Sequence, residues 1–231
     1  MSEWIVKRDE LESVIKLLRT LNRDAELRLS ADQLTINVVD PANVAIAQVW
    51  INVDGDCEET FKIDFDALIK ALGVASGENV LMQKVDNRLH VVVGNHVMKI
   101  TELSMLSNNV QKVPQLKYEC VVTVEAKELL GMWAGLAKVL NDKVNFIIDH
   151  GTLSVNVEGT ILDDTLTLPV EWDGYEKTCI PSDYLEYLAK GLKSKVDEIT
   201  LKVRTDSPLL IEAAYGGTRI KVMIAPRITQ D

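Results

Sequence analysis

The sequence has little of what marks a secreted, disordered or membrane-spanning chain. Its three cysteines, Cys57, Cys120 and Cys179, are widely spaced, odd in number and form no CxxC pair. That argues against a disulfide framework and fits a reducing, cytoplasmic setting. Glycine (12) and proline (6) are sparse among 231 residues, and no low-complexity tract occurs, so the composition reads as globular. The start, MSEWIVKRDE, is charged and lacks a long apolar run, which predicts no signal peptide. The least polar stretch, LLGMWAGLAKVL, contains Lys138 and is too short to span a bilayer.

Signatures of chemistry are missing as well. No GxGxxG, P-loop, HExxH or GxSxG is present. His90 and His96 are separated by a Gly94-Asn95 turn, and His150 lies in a DHGT turn. Asp54, Asp56, Glu58 and Glu59 lack the glycine and terminal glutamate of an EF-hand loop. No catalytic residue, metal ligand or cofactor is therefore assigned. The net charge of −10 speaks against a polyanionic partner only if it is spread evenly.

What is present is a duplication. Residues 9–21 place Leu11, Val14, Ile15, Leu18 and Leu21 at helical spacing. AKELLGMWAGLAKVL does the same with Leu129, Leu130, Trp133, Leu136, Ala137 and Leu140. Each helix is followed by an alternating run, ELRLSADQLTINVV (26–39) and NFIIDHGTLSVNVE (145–158). Leu34, Ile36 and Val38 match Leu153, Val155 and Val157 at a constant separation of 119. FKIDFDALIKAL and CIPSDYLEYLAKGL then read as a strand end and a helix, with Asp66 and Ser182 as N-caps. Each half closes in a hairpin, turning at Gly94-Asn95 and at Gly216-Gly217.

The expectation is an α+β fold of order β-α-β-β-β-α-β-β-β, twice. The domains are 1–105 and 118–231, joined by a linker over 106–117 (LSNNVQKVPQLK). Sheets with so few helices leave edge strands open to pairing with another chain. Asn95, Val97 and Lys99 in the first half, and Thr165 and Thr167 in the second, are the expected subunit edges.

Positive charge is segregated. Glu12, Lys16, Arg19 and Arg23 form a stripe opposite the apolar face of the first helix, and Glu186, Lys190 and Lys193 repeat it on the fourth. The second helix adds Lys70, and the third adds Lys127 and Lys138 around Gly131 and Ala134. Acids crowd NVDGDCEE, GTILDD and EWDGYE. Such stripes are either solvated helix faces or faces turned to a polyanion.

Two stretches carry a resemblance. VVDPANVAIAQV (38–49) and the terminal IKVMIAPRI (220–228), within SPLLIEAAYGGTRIKVMIAPRI, resemble sliding clamps of the proliferating cell nuclear antigen family in its archaeal form. The duplication, linker and length agree with that family. The resemblance implies a homotrimeric ring with helices inside and antiparallel sheets outside. It implies a processivity factor with no catalysis of its own, binding duplex DNA without base readout. The implied inner-surface residues are Lys16, Arg19, Arg23, Lys70, Lys138, Lys190 and Lys193; Gly131 and Ala134 stand where eukaryotic relatives often carry arginine. The implied partners are DNA polymerase, clamp loader, ligase and nuclease, held by short peptide motifs; none is a membrane. The pocket for those motifs would comprise Val39, Val44, Ile46, Val113, Pro114, Pro208, Met223, Ile224, Ala225 and Pro226. Its side chains are expected to be accessible before docking. The setting is cytoplasmic and nucleoid-associated, and a viral origin is compatible with it.

Two other readings stay open from the residues. One is a DNA-binding processivity subunit that acts as a monomer. The other is an acidic α+β enzyme whose site assembles from distant residues such as Cys120, Asp149 and His150.

Overall fold

A computed structural model describes residues 2–74, 76–104, 114–135, 143–157 and 163–227. The chain divides into two compact units, Met1–Lys112 with Gly216–Ile220, and Val113–Tyr215 with Lys221–Asp231. Among the described residues, no helix is long and apolar enough to cross a membrane.

The first unit runs β1 (Ser2–Lys7), α1 (Arg8–Arg19), β2 (Asp24–Leu29), β3 (Gln33–Val39), β4 (Ala45–Gly55), β5 (Glu59–Asp64), α2 (Phe65–Gly73), β6 (Asn79–Val85), β7 (Arg88–Val93) and β8 (His96–Thr101). Its strands are ordered β8-β7-β6-β1-β4, continuing through β3 and β2 to β5. Neighbouring strands from β8 through β1 to β4, and from β4 through β3 and β2 to β5, pair antiparallel. Period-two alternation buries Leu34, Ile36 and Val38, and helical spacing buries Leu11, Val14, Ile15 and Leu18 in the same unit. Trp4 meets Phe61 edge-on at 6.0 Å inside this core.

The second unit runs β9 (Cys120–Glu125), α3 (Ala126–Gly135), β10 (Val144–Asp149), β11 (Thr152–Val157), β12 (Asp164–Pro169), β13 (Tyr175–Ile180), α4 (Asp183–Leu192), β14 (Glu198–Val203), β15 (Leu209–Tyr215) and the end of β16 (Thr218–Ile224), whose start, to Ile220, belongs to the first unit. One group is ordered β16-β15-β14-β9, the other β12-β11-β10-β13. Trp133 and Phe146 form its edge-on aromatic pair at 6.3 Å.

The α+β class and the duplication stand, with one more strand per half than the order read from sequence. Four strands, not three, separate the helices. The reason is local. Each long alternating run folds back on itself. In 26–39, the Ser30 hydroxyl donates to Asp32 and accepts from the Gln33 N–H, closing a turn between β2 and β3. In 145–158, His150 (φ 40°) and Gly151 (φ 84°) make a two-residue turn between β10 and β11.

The caps also differ. Asp64, not Asp66, caps α2, accepting the Ala67 N–H at 3.0 Å. Ser182 holds the N-cap position of α4 without a side-chain cap bond. Helix α1 ends at Arg19, so Arg23 lies beyond it, in the turn before β2, and the stripe on that helix is shorter than the spacing suggested.

Candidate functional site

Three surfaces carry the residues singled out from sequence. The first is the seam between α1 and α2. Arg19 forks onto Asp66, with Nε 2.7 Å from Oδ1 and an Nη nitrogen 3.0 Å from Oδ2. Arg23 Nε donates to Asp64 at 2.8 Å and lies 3.8 Å from Asp66. Lys16 Nζ is 2.6 Å from Glu12 on its own helix. Lys70 stands one turn along α2 from Asp66, exposed, with no carboxylate within 4.0 Å among the described residues. The hydrogen bonds from Arg19 hold the Asp66 carboxyl below its ordinary range and raise Arg19 in turn. In the second unit, Lys190 bonds Glu186 on α4, and Lys193 follows at the C-cap, exposed. Gly131 is exposed on α3; Lys138 lies outside the described residues. Sequence spacing revealed the cations but not their partners across the α1–α2 seam, because Arg19 and Asp66 are 47 positions apart.

The second set, the residues expected to form the peptide pocket, falls in both units, each group placed within its own. In the first unit, the DPAN turn is organised by Asp40, which is buried at 6% exposure. Its carboxylate accepts the N–H groups of Ala42 (3.0 Å) and Ala45 (2.6 Å), and Asn43 takes φ 58°. Those bonds satisfy the polar groups of a tight turn and leave side chains to point outward. Val39 and Ile46 face each other across β3 and β4, half-buried, with Val44 beside them also half-buried.

In the second unit, the Tyr118 hydroxyl donates to the Pro208 carbonyl at 2.8 Å. Pro208, Ala225 and Pro226 are half-buried, and Pro114 is exposed. Met223 (4%) and Ile224 (0%) are buried, which corrects the expectation that they stand accessible. Val222, Met223 and Ile224 are buried in succession, so both faces of β16 are covered at its end, where alternation alone implied one open face. After Pro226, the Arg227 N–H donates to the Cys179 carbonyl at 2.8 Å and ties the chain down. Val113, and residues 106–112 of the linker, lie outside the described residues.

The third surface consists of two strand edges. Among the described residues, β8 pairs only with β7, and β12 only with β11. Asn95, Val97 (51% exposed) and Lys99 lie on or beside the β8 edge, and Thr165 and Thr167 are exposed on β12. His90 pairs with Lys99, and Val93 with His96, so the two histidines face opposite sides of the sheet.

One contact had no signal in the local sequence. The Glu10 carboxylate, on the first turn of α1, accepts the Gly217 N–H (3.2 Å) and the Thr218 hydroxyl (2.9 Å). It thereby holds the turn that starts β16. A Cβ at Gly216 would stand 2.6 Å from Glu10 Oε1, so the glycine makes room for the carboxylate. Nearby, the Arg219 guanidinium lies 5.5 Å from the centre of the Trp50 ring.

No protein-family model matches the chain. Similarity to individual proteins nevertheless runs its full length. It is 26% identical over 238 residues to the DNA polymerase sliding clamp of Thermoplasma acidophilum, covering 95% of this chain and 96% of that one. It is 24% identical over 252 residues to that of Methanosarcina mazei, covering all of both. In fold it matches the PCNA of A. fulgidus, solved with the C-terminal region of FEN-1 bound, with a TM-score of 0.89, 22% identity and full coverage of both chains. It matches PCNA from Thermococcus kodakaraensis with a TM-score of 0.84 and 19% identity, over 98% of this chain and 100% of that one. Along its whole length the chain is thus similar in sequence to DNA polymerase sliding clamps and shares the fold of PCNA.

Proposed function

We propose that this chain closes head to tail as a homotrimeric ring around duplex DNA and tethers polymerase and other replication enzymes, conferring processivity without catalysis of its own. The full-length match to sliding clamps in sequence and fold carries this reading. The open edges β8 and β12 supply complementary positions for ring closure, through Asn95, Val97 and Lys99 on one side and Thr165 and Thr167 on the other. Lys16, Arg19, Arg23, Lys70, Lys190 and Lys193, with Lys138, face the duplex. They supply sequence-independent attraction to phosphates within a chain whose net charge is −10. An acidic protein can encircle DNA because only the lining needs to be basic.

Partners such as polymerase, clamp loader, ligase and nuclease dock through short peptides. Val39, Val44 and Ile46 in the first unit, and Pro208, Ala225 and Pro226 in the second, with Val113 and Pro114, are the residues assigned to that docking; Met223 and Ile224 are buried. The domains are 1–105 and 118–231, with 106–117 connecting them. Primer extension on a singly primed circular template tests the reading. Added clamp should lengthen the products of a matched polymerase. Lys16→Glu with Lys190→Glu should remove that gain while native mass stays trimeric. Equal product length with and without the chain would contradict it.

A further inference from the structure

We propose that Asp66 is a built-in counter-anion that competes with DNA phosphate for Arg19 and Arg23 and so sets how loosely the clamp holds the duplex. The inference rests on the DNA-facing role proposed above for the α1–α2 seam.

The geometry carries it. Arg19 presents two nitrogens to the two oxygens of Asp66, at 2.7 and 3.0 Å. This fork is the edge with which arginine recognises phosphate, so the carboxylate occupies the phosphate-binding side of the guanidinium. The same carboxylate lies 3.8 Å from Arg23 Nε. The three side chains are 39%, 40% and 69% exposed for Arg19, Asp66 and Arg23, so the network sits where a duplex can reach it.

Asp66 differs from its neighbour Asp64. Asp64 caps α2 through the Ala67 N–H, so the helix requires it. Asp66 caps nothing, and among the described residues its hydrogen bonds come from Arg19 alone. An exposed ion pair contributes little to folding. A carboxylate in that place therefore does more to the surface charge than to stability. Two arginines and two aspartates cancel along this seam, leaving Lys70 as its unmatched cation within 4.0 Å among the described residues.

The consequence is specific. A cation that already holds a carboxylate exchanges one anion for another when it meets a phosphate. It then contributes less to the salt dependence of binding than a free cation, which adds about 0.9 to the log–log slope. Loose contact suits a ring that must move along DNA.

Anisotropy of a short fluorescent duplex across a salt series, on the full-length protein, tests this. Asp66→Asn and Asp66→Ser should bind about three- to tenfold more tightly at low salt, with a slope steeper by about 0.9 for each arginine freed. Asp66→Ser guards against the asparagine amide still engaging Arg19. Adding Arg19→Gln to Asp66→Asn should remove most of the gain. Thermal unfolding and native mass should match the wild type, because Asp64 still caps α2. If wild type binds the duplex and both single variants bind with the same affinity and slope, Asp66 is not a competitor and the inference fails alone. It fails too if the double variant keeps the gain. No binding by wild type or variants at any salt overturns both the inference and the DNA-facing role beneath it.

Discussion

A proline at Val97 should open the ring while leaving the subunit folded. β7 and β8 are joined by the two-residue turn Gly94-Asn95, which closes on the pair Val93 and His96. A turn of this length makes that first pair the hydrogen-bonded one, so the next, Val92 with Val97, is non-bonded. The N–H and C=O of Val97 thus point away from β7, toward the open edge. Its side chain, 51% exposed, stands on the face away from the core. Proline there deletes a donor offered to the neighbouring subunit and nothing that β7 uses. An acceptor left unsatisfied in a closed interface costs about 1–3 kcal/mol, and the fixed φ of proline adds about 1 more. A loss of about 2–4 kcal/mol per interface corresponds to about 30- to 1,000-fold weaker association. Native mass spectrometry over a dilution series reads the shift directly, with circular dichroism to confirm the fold. Trimer fractions equal to wild type at every dilution would refute the edge assignment, as would a wild-type chain that is monomeric throughout.

Three further outcomes follow from named residues. Ile46→Asp should abolish binding of a motif-bearing peptide in calorimetry with little change in thermal unfolding, because Ile46 is half-buried on the open face of β4. Met223→Asp should instead lower the unfolding temperature, since an unpaired charge would be buried at a cost of several kcal/mol; equal unfolding temperatures for the two variants would count against this assignment. Gly216→Ala, at φ 52° and with a Cβ 2.6 Å from Glu10 Oε1, should cost about 1–3 kcal/mol, read as a lower denaturant midpoint. Burial pushes the Cys120 thiol up to about 11. Its folded value exceeds its unfolded one, so that contribution to stability is complete below about pH 9 and lost as pH rises toward 11. Urea midpoints of wild type and Cys120→Ala should converge across that window, and a constant difference would contradict the buried thiol.

Much of this was legible in the residues because it was local. The helices announced themselves through Leu11, Val14, Ile15 and Leu18, and the hairpins through Gly94-Asn95 and Gly216-Gly217. The DPAN turn was legible as a turn, and its aspartate proves to be the acceptor that shapes it. What escaped was either a fold-back inside a long alternating run or a contact between distant positions. Across SAD the buried positions slip from odd (Leu27, Leu29) to even (Leu34, Ile36, Val38), and across the DHGT turn from even (Phe146, Ile148) to odd (Leu153, Val155, Val157); counting each run as one strand passed over that slip. Asp66 looked like a cap because it precedes an apolar helix, whereas its partner Arg19 is 47 positions away. Glu10 and Gly217 are 207 apart. The burial of Met223 could not be read from an apolar strand end, which looks the same whether one face or both are covered.

The central claim is topological: the ring is held on DNA by enclosure rather than by affinity. The most direct measurement loads the clamp onto nicked circular DNA with its clamp loader and ATP. The DNA is then either left circular or cut once, and both samples are passed through gel filtration in high salt. Enclosure predicts that the clamp stays with the circle, where phosphate contacts are screened, and is lost from the cut DNA as it slides off the ends. Equal loss from both forms, or equal retention on both, would contradict it.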